Sequence, residues 1–299
     1  MQFTRRQIFP LLAAVGARPR TLLADEATHR RRAAHVQLGA QTNAWPIDAK
    51  NLDSFFDVLR QIRATGYDGF ETGYFNLIDH TAHAAEVRSR IAATGLTFFG
   101  LHLSIPFLKN DPQTLVPPAS IYKSIAPTAI AFGAQNLILS GPAAKSSEEA
   151  KHKAEGLVEA ARFGESIGLP VLYHNHEGEF SGQVEEMETL FNETEHSPVR
   201  FLLDAGHAYR GGSDVVALIK RRLPRIAAFH MRDFVGRAEV PLGQGNFPLA
   251  QFAEVLRDRR WSGWALNEED GDGKQKLGLA VIEPAYRALS AALGEGTGR

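Results

Sequence analysis

From Val36 onward, short apolar runs alternate with longer amphipathic segments. Leu52, Phe55, Phe56, Leu59 and Ile62 recur at helical spacing, and Gly66 follows as a stop. Tyr67 to Glu71 then reads as a strand. The pattern next predicts a helix from about His80 to Thr94 stopped by Gly95, a strand from Leu96 to Leu101, a helix from Ile121 to Phe132 stopped by Gly133, and a strand from Asn136 to Leu139. Ser146 and Glu149 form a capping box for a helix that runs to Ile167 and stops at Gly168. Glycine tolerates the left-handed conformation that closes a helix, so this repeated helix–glycine–apolar run has a physical basis. Strands follow near 170–174, 199–204, 225–230 and 263–268. Helices are expected near Glu185 to Asn192, then near 212–222, 247–259 and 275–293.

With Val36 to Thr42 as the first strand, the count is eight strands and eight helices in alternation. The strands are mostly apolar on both faces, as a buried parallel sheet requires. This argues for an α/β fold, a closed (β/α)8 TIM barrel in a single domain over residues 35–295. An open doubly wound sheet usually carries a glycine fingerprint after its first strand. Gly39-Ala40-Gln41 has no such pattern, and Gly243-Gln244-Gly245 lacks the third glycine and an immediately preceding strand.

Composition adds exclusions. The chain has 299 residues, 44% hydrophobic and 22% charged, with a net charge of -1 from 33 basic and 34 acidic residues. Nothing there favours a nucleic-acid partner, which would ask for a basic face. There is no cysteine, so disulfides, thiolate metal sites and a cysteine nucleophile are excluded. Residues 1–34 differ from the rest. Thr4-Arg5-Arg6-Gln7-Ile8-Phe9 resembles a twin-arginine export signal, and Arg30-Arg31-Arg32 adds basic charge. The apolar run from Phe9 to Ala17 is far too short to span a membrane. The expectation is a leader or a disordered basic segment outside the fold, with periplasmic export as one destination and the cytoplasm as the other.

Four of the later strands end in metal-ligand residue types: His174, Asp204, His230 and Glu268. The gaps between these positions, 30, 26 and 38 residues, each span about one strand–helix–strand repeat of roughly 30 residues. In a closed barrel all four side chains reach the same rim, where barrel enzymes keep their chemistry. Imidazole and carboxylate groups converging there read as a site for one divalent metal with room for a substrate, and nitrogen and oxygen ligands alone suit Mn, Mg, Co, Fe or Zn. Only one of His174 and His176 is expected to face the metal. Asp204 has a competing reading as a cap for the following turn. On the same rim stand Glu71 and His102, read as ending strands 2 and 3, with Arg232 and Arg237 as groups able to hold a substrate oxygen. Trp45, Phe75 and Phe107 follow the first three strands and offer walls for the pocket.

The motifs Tyr173-His174-Asn175-His176 with Glu179-Phe180, Asp204-Ala205-Gly206-His207, Phe229-His230-Met231-Arg232-Asp233, Pro241-Leu242-Gly243-Gln244-Gly245 and Glu268-Glu269-Asp270, in that order, resemble the xylose isomerase-like barrel family, the sugar phosphate isomerase/epimerase superfamily. The resemblance covers about Val36 to Leu293. It implies one metal held by Glu, Asp, His and Glu, of which Asp204, His230 and Glu268 match the last three. The first falls on His174, where most relatives have glutamate. It also implies that His207 reaches a substrate oxygen and that the first and last glutamates flank the substrate as acid and base. With His174 at the first position one carboxylate of that pair is absent, and Glu177, Glu179 or His176 are the candidates to replace it beside Glu268.

The function this implies is a metal-dependent isomerase or epimerase acting on a sugar or related polyhydroxy carbonyl compound through an enediolate. A bound metal stabilises the enediolate and a carboxylate moves the proton. A lyase or dehydratase on a keto-sugar or keto-cyclitol is the alternative that His174 motivates. An abasic-site endonuclease and a non-catalytic sugar-binding barrel are the remaining rivals. The expected partner is a small keto-sugar or sugar, with no stable membrane span and with room for a homo-oligomer.

Overall fold

A computed structural model describes residues 36–103, 108–182, 184–270 and 276–294. The expected leader, residues 1–34, and Phe107 lie outside the described residues. The first half of the chain runs β1 (Val36–Gln41), α1 (Leu52–Thr65), β2 (Gly69–Gly73), α2 (Ala84–Ala93), β3 (Thr97–His102), α3 (Ala119–Phe132), β4 (Asn136–Leu139) and α4 (Ser147–Ser166). The second half runs β5 (Val171–His174), α5 (Gly178–Ser181), α6 (Glu186–Glu193), β6 (Arg200–Asp204), α7 (Ala205–Arg210), α8 (Val215–Arg222), β7 (Ile226–Met231), a hairpin of β8 (Asp233–Val235) and β9 (Ala238–Val240), α9 (Leu249–Asp258), β10 (Gly263–Asn267) and α10 (Leu279–Gly294).

Eight strands close into a parallel barrel in the order β1-β10-β7-β6-β5-β4-β3-β2. The expected fold is therefore the observed one. Gly66 and Gly133 close α1 and α3 at φ 111° and 93°, a region that L side chains enter only at a cost. Ser146 caps α4 by accepting from the backbone N–H of Glu149. Three features were not expected: the short helices α5 and α7 and the β8–β9 hairpin, each too short to show a period. α8 starts at Val215 rather than near 212, because α7 and its turn occupy the preceding residues.

The core has two layers. The larger fills the space between the strands and the helices. The smaller consists of Phe99, Ile138, Leu172, Leu202, Ala228, Trp264 and Leu266. Residues two apart on a strand share a face, and this set sits two residues before His174 (Leu172), Asp204 (Leu202), His230 (Ala228) and Glu268 (Leu266). It is thus the apolar plug of the barrel, and the next inward layer is polar. Glycines on the first three strands make room for the plug: a Cβ at Gly39 would lie 2.9 Å from Leu266, at Gly69 2.6 Å from the Trp264 ring and at Gly100 2.5 Å from Ile138. No helix among the described residues is long and apolar enough to cross a membrane.

Candidate metal centre

One ligand atom from each of His174, Asp204, His230 and Glu268 lies within 4.8 Å of the other three, and all four residues are buried. The four come from the ends of β5, β6 and β7 and from the residue after β10, lifted into one layer by the alternation described above. His174 fits a ligand role best by what it lacks: its Nδ1 is buried and makes no hydrogen bond. Burial, reinforced by the neighbouring His230 and His176 imidazoles, holds its pKa well below the usual histidine value, which leaves a neutral ring with a free lone pair. The donor set therefore suits a divalent cation.

Asp204 is both cap and candidate ligand. Its Oδ1 accepts from the backbone N–H of His207 at 2.7 Å, which starts α7, while Oδ2 turns to the cluster. Burial pushes its carboxyl up to about 6 against the pull of Arg232. Glu268 behaves oppositely. Burial opposes its ionised form, but the charges of Arg232 and His230 hold it well below the ordinary carboxylate range. Its Oε1 accepts from Asn43 Nδ2 at 3.1 Å, and its Oε2 lies 2.6 Å from both His230 Nδ1 and Arg232 Nη2.

Arg232 stands among these carboxylates, two residues beyond His230 and 2% exposed. Its Nε lies 2.9 Å from Asp204 Oδ2 and its Nη1 2.9 Å from Asp270 Oδ2. The expected substrate contact at Arg232 is thus compatible with its position on the cavity wall, but its charge is already matched by acids. Arg237 is different. It is exposed in the β8–β9 turn, 3.8 Å from Glu177, and is not among the residues that line the cavity.

Glu71 is likewise not a cavity residue. β2 continues past it to Gly73, and its carboxylate is fully buried beneath the centre, where it accepts from His230 Nε2 at 2.7 Å and His102 Nδ1 at 3.2 Å. Burial works to raise its pKa, but the His230 charge and these two hydrogen bonds outweigh it and hold the carboxyl low. Glu179 is also absent from the lining of this cavity. Its Oε1 accepts from Tyr173 OH at 2.7 Å and lies 3.8 Å from Lys153, and its Oε2 accepts the backbone N–H of His176 at 3.1 Å. It belongs to a buried network behind β5 and positions His176 rather than facing the centre. Glu177 is tied to Arg210 at 2.7 Å.

His176, in contrast, lines the cavity along with His174, since residues two apart share a face of an extended chain, but of the two only His174 belongs to the four-residue cluster. Their rings are 4.8 Å apart. Both line a cavity of about 310 Å³ together with His102, His207, Glu268 and Arg232. Burial and neighbouring charges lower His176 to about 4 and His207 to about 3, so both imidazoles are neutral at ordinary pH. Trp45 and Phe75 do not line this cavity. Trp45 packs in the outer core and donates from Nε1 to Gln61. The apolar wall comes instead from Leu103, Leu108 and Pro117. Sequence reasoning missed Gln41, Asn43, Asn110 and Ser140 on the cavity wall, although polar residues closing β1 and following β4 were a readable signal.

The sequence matches the family described as xylose isomerase-like TIM barrel over residues 59–288. The chain belongs to this family. A protein named inosose dehydratase from Mesomycoplasma hyopneumoniae (strain J) is 24% identical over 267 residues, covering 79% of this chain and 88% of that protein. The crystal structure of a sugar phosphate isomerase/epimerase from Parabacteroides distasonis superposes with a TM-score of 0.69 at 18% identity, covering 86% of this chain and 94% of the other. That of a probable 3-DHS dehydratase, AsbF, from Bacillus anthracis superposes at 0.65 and 17% identity, covering 85% and 99%. The structural likenesses establish the barrel.

Proposed function

We propose that this protein is a metal-dependent lyase that removes a leaving group β to the carbonyl of a keto-cyclitol or keto-sugar, a dehydratase when that group is hydroxide. The observation that carries the reading is the make-up of the cavity wall: Glu268 is accompanied by four imidazoles, those of His102, His174, His176 and His207, and by no second glutamate. Glu179, the glutamate that the sequence offers to restore a carboxylate pair, is held instead in the Tyr173 and Lys153 network. The similarity to inosose dehydratase agrees with this choice.

His174, Asp204, His230 and Glu268 would hold the ion, which supplies Lewis-acid polarisation of the substrate carbonyl. The chain's own groups do the rest. Glu268 is the base for the proton on the carbon beside the carbonyl, with its Oε1 oriented by Asn43. His176 and His207 line the same cavity as hydrogen-bonding groups for the departing oxygen, which leaves as water with the proton that Glu268 took up, and Asn110, Ser140 and Gln41 are available to bind the remaining hydroxyls. Epimerisation is the second reading, favoured by one feature: His176 lines the same cavity as Glu268, and after taking up a proton from solvent its imidazolium could hand that proton to the enediolate carbon.

Incubation of the Mn2+-supplemented enzyme with inososes and keto-sugars in D2O, followed by mass spectrometry, separates the two. Loss of water or of a substituent supports the lyase. Recovery of a deuterated product of unchanged formula overturns it in favour of the epimerase.

A further inference from the structure

We propose that a second cavity beside the metal centre seats an aromatic substituent of the substrate, so that the enzyme prefers a ketone ring joined to an aryl group, such as an aryl keto-glycoside, over the bare ring. The proposal rests on the first cavity being the seat of a keto-sugar or keto-cyclitol. The two cavities adjoin, since Asn110, Ser140 and His176 line both. The first, at about 310 Å³, is at the small end for a ligand site and suits one hydroxylated ring. The second is about 660 Å³, roughly twice as large. A substrate that ended at the first ring would leave the larger space to water.

The walls differ in chemistry. Carboxylates and imidazoles surround the first cavity. The second lies between the loops that follow β3 and β4, where Pro112, Leu115, Pro142 and Ala143 give it a mainly apolar wall, with His176 and Glu179 also on its lining. Proline rings and aromatic faces are complementary apolar surfaces, the pairing that proline-recognition grooves exploit. Lys109 and Asp111 at its edge offer a cation and a carboxylate to polar ring substituents.

This wall is held in place at a conformational cost. Leu115 adopts φ 56°, a left-handed conformation that a bulky residue keeps only when its surroundings impose it. Its N–H donates to Asp111 O at 2.8 Å, the Asp111 N–H donates to Val116 O at 2.8 Å, and Asp111 Oδ1 accepts from the N–H groups of Gln113 and Thr114. The closed loop is pressed against two glycines. A Cβ at Gly141 would lie 2.0 Å from Leu115 O, and one at Gly156 on α4 2.7 Å from Thr114 Cβ. Backbone strain of this kind gathers at ligand clamps, and here it fixes the side of the second cavity.

The test is calorimetric binding of a matched pair, 3-keto-D-glucose and its 4-nitrophenyl glycoside, to the Mn2+-supplemented enzyme, alongside Ala143→Trp, which fills the second cavity. The expected result is binding of the aryl compound tighter by about tenfold or more, from burial of its ring, with the preference abolished in Ala143→Trp. Should that variant fail to fold, Ala143→Leu gives a smaller loss in the same direction. Equal affinities, or a preference that survives filling of the cavity, overturn the second site. Aryl-selective binding without turnover overturns the lyase reading and leaves the second site standing, and binding of neither compound overturns both.

Discussion

Glu71 holds His230 from across two intervening strands: Oε2 on β2 accepts from Nε2 on β7 at 2.7 Å. The imidazole therefore turns its other nitrogen, Nδ1, toward Glu268 and the ligand cluster. A carboxylate behind a ligating histidine fixes the ring's tautomer and raises its basicity. Glu71→Gln keeps the shape and removes the charge. Divalent-ion affinity should fall by about 10- to 100-fold, measured by competition with a chelator. Unchanged affinity would mean that His230 does not bind the ion.

The network behind β5 is a stability element. Lys153 is fully buried, with Nζ 2.5 Å from Glu186, 2.8 Å from Tyr173 OH and 2.7 Å from Pro142 O. Lys153→Met strands Glu186 and Glu179 without a cation. Breaking a buried pair in this way costs about 3–5 kcal/mol, which denaturant unfolding will register. Adding Glu186→Gln to the same protein should recover part of the loss. If the double variant is no more stable than the single one, the cost lies in packing rather than charge.

Asp233 organises the segment that carries Pro241-Leu242-Gly243-Gln244-Gly245. Its carboxylate accepts from four backbone N–H groups, those of Phe234, Gly243, Gly245 and Phe247, at 2.8–3.0 Å. Gly245 is obligatory beside it, because a Cβ there would lie 2.2 Å from Asp233 Oδ1. Gly245→Ala should destabilise the fold by about 1–3 kcal/mol through overpacking and speed limited proteolysis between residues 241 and 247. Wild-type cleavage rates and thermal stability would show that the loop yields at no cost.

The four-residue cluster was legible because it depends on two short-range regularities, the length of a strand–helix repeat and the two-residue period that lifts His174, Asp204, His230 and Glu268 above Leu172, Leu202, Ala228 and Leu266. What was not legible depends on long-range choices. Glu179 lies three residues from His176, but spacing does not tell that Tyr173, facing outward, would capture its carboxylate for Lys153 on α4. Glu71 reads as a rim residue until the register shift between Phe70 and Glu71 and the two further residues of β2 set it below the cavity floor. The β8–β9 hairpin has no periodic signature, and it forms where Asp233 gathers the loop around itself.

Arg232 and a divalent ion would neutralise the same oxygens, and that competition can be measured. The guanidinium contacts Asp204, Glu268 and Asp270, and although burial disfavours its charge, these acids hold its pKa well above the usual value. Arg232→Met leaves Asp204 and Glu268 buried beside each other with less positive charge. Without metal the variant should lose about 3–5 kcal/mol, the scale for removing one partner of a buried pair, read as a lower melting temperature. Added Mn2+ restores the missing positive charge, so its stabilisation, which grows as RT ln(1 + [L]/Kd), should be larger for the variant than for the wild type at the same ion concentration. A metal-induced rise equal to or smaller than the wild type's would place the ion away from Asp204 and Glu268 and remove the metal centre from the mechanism.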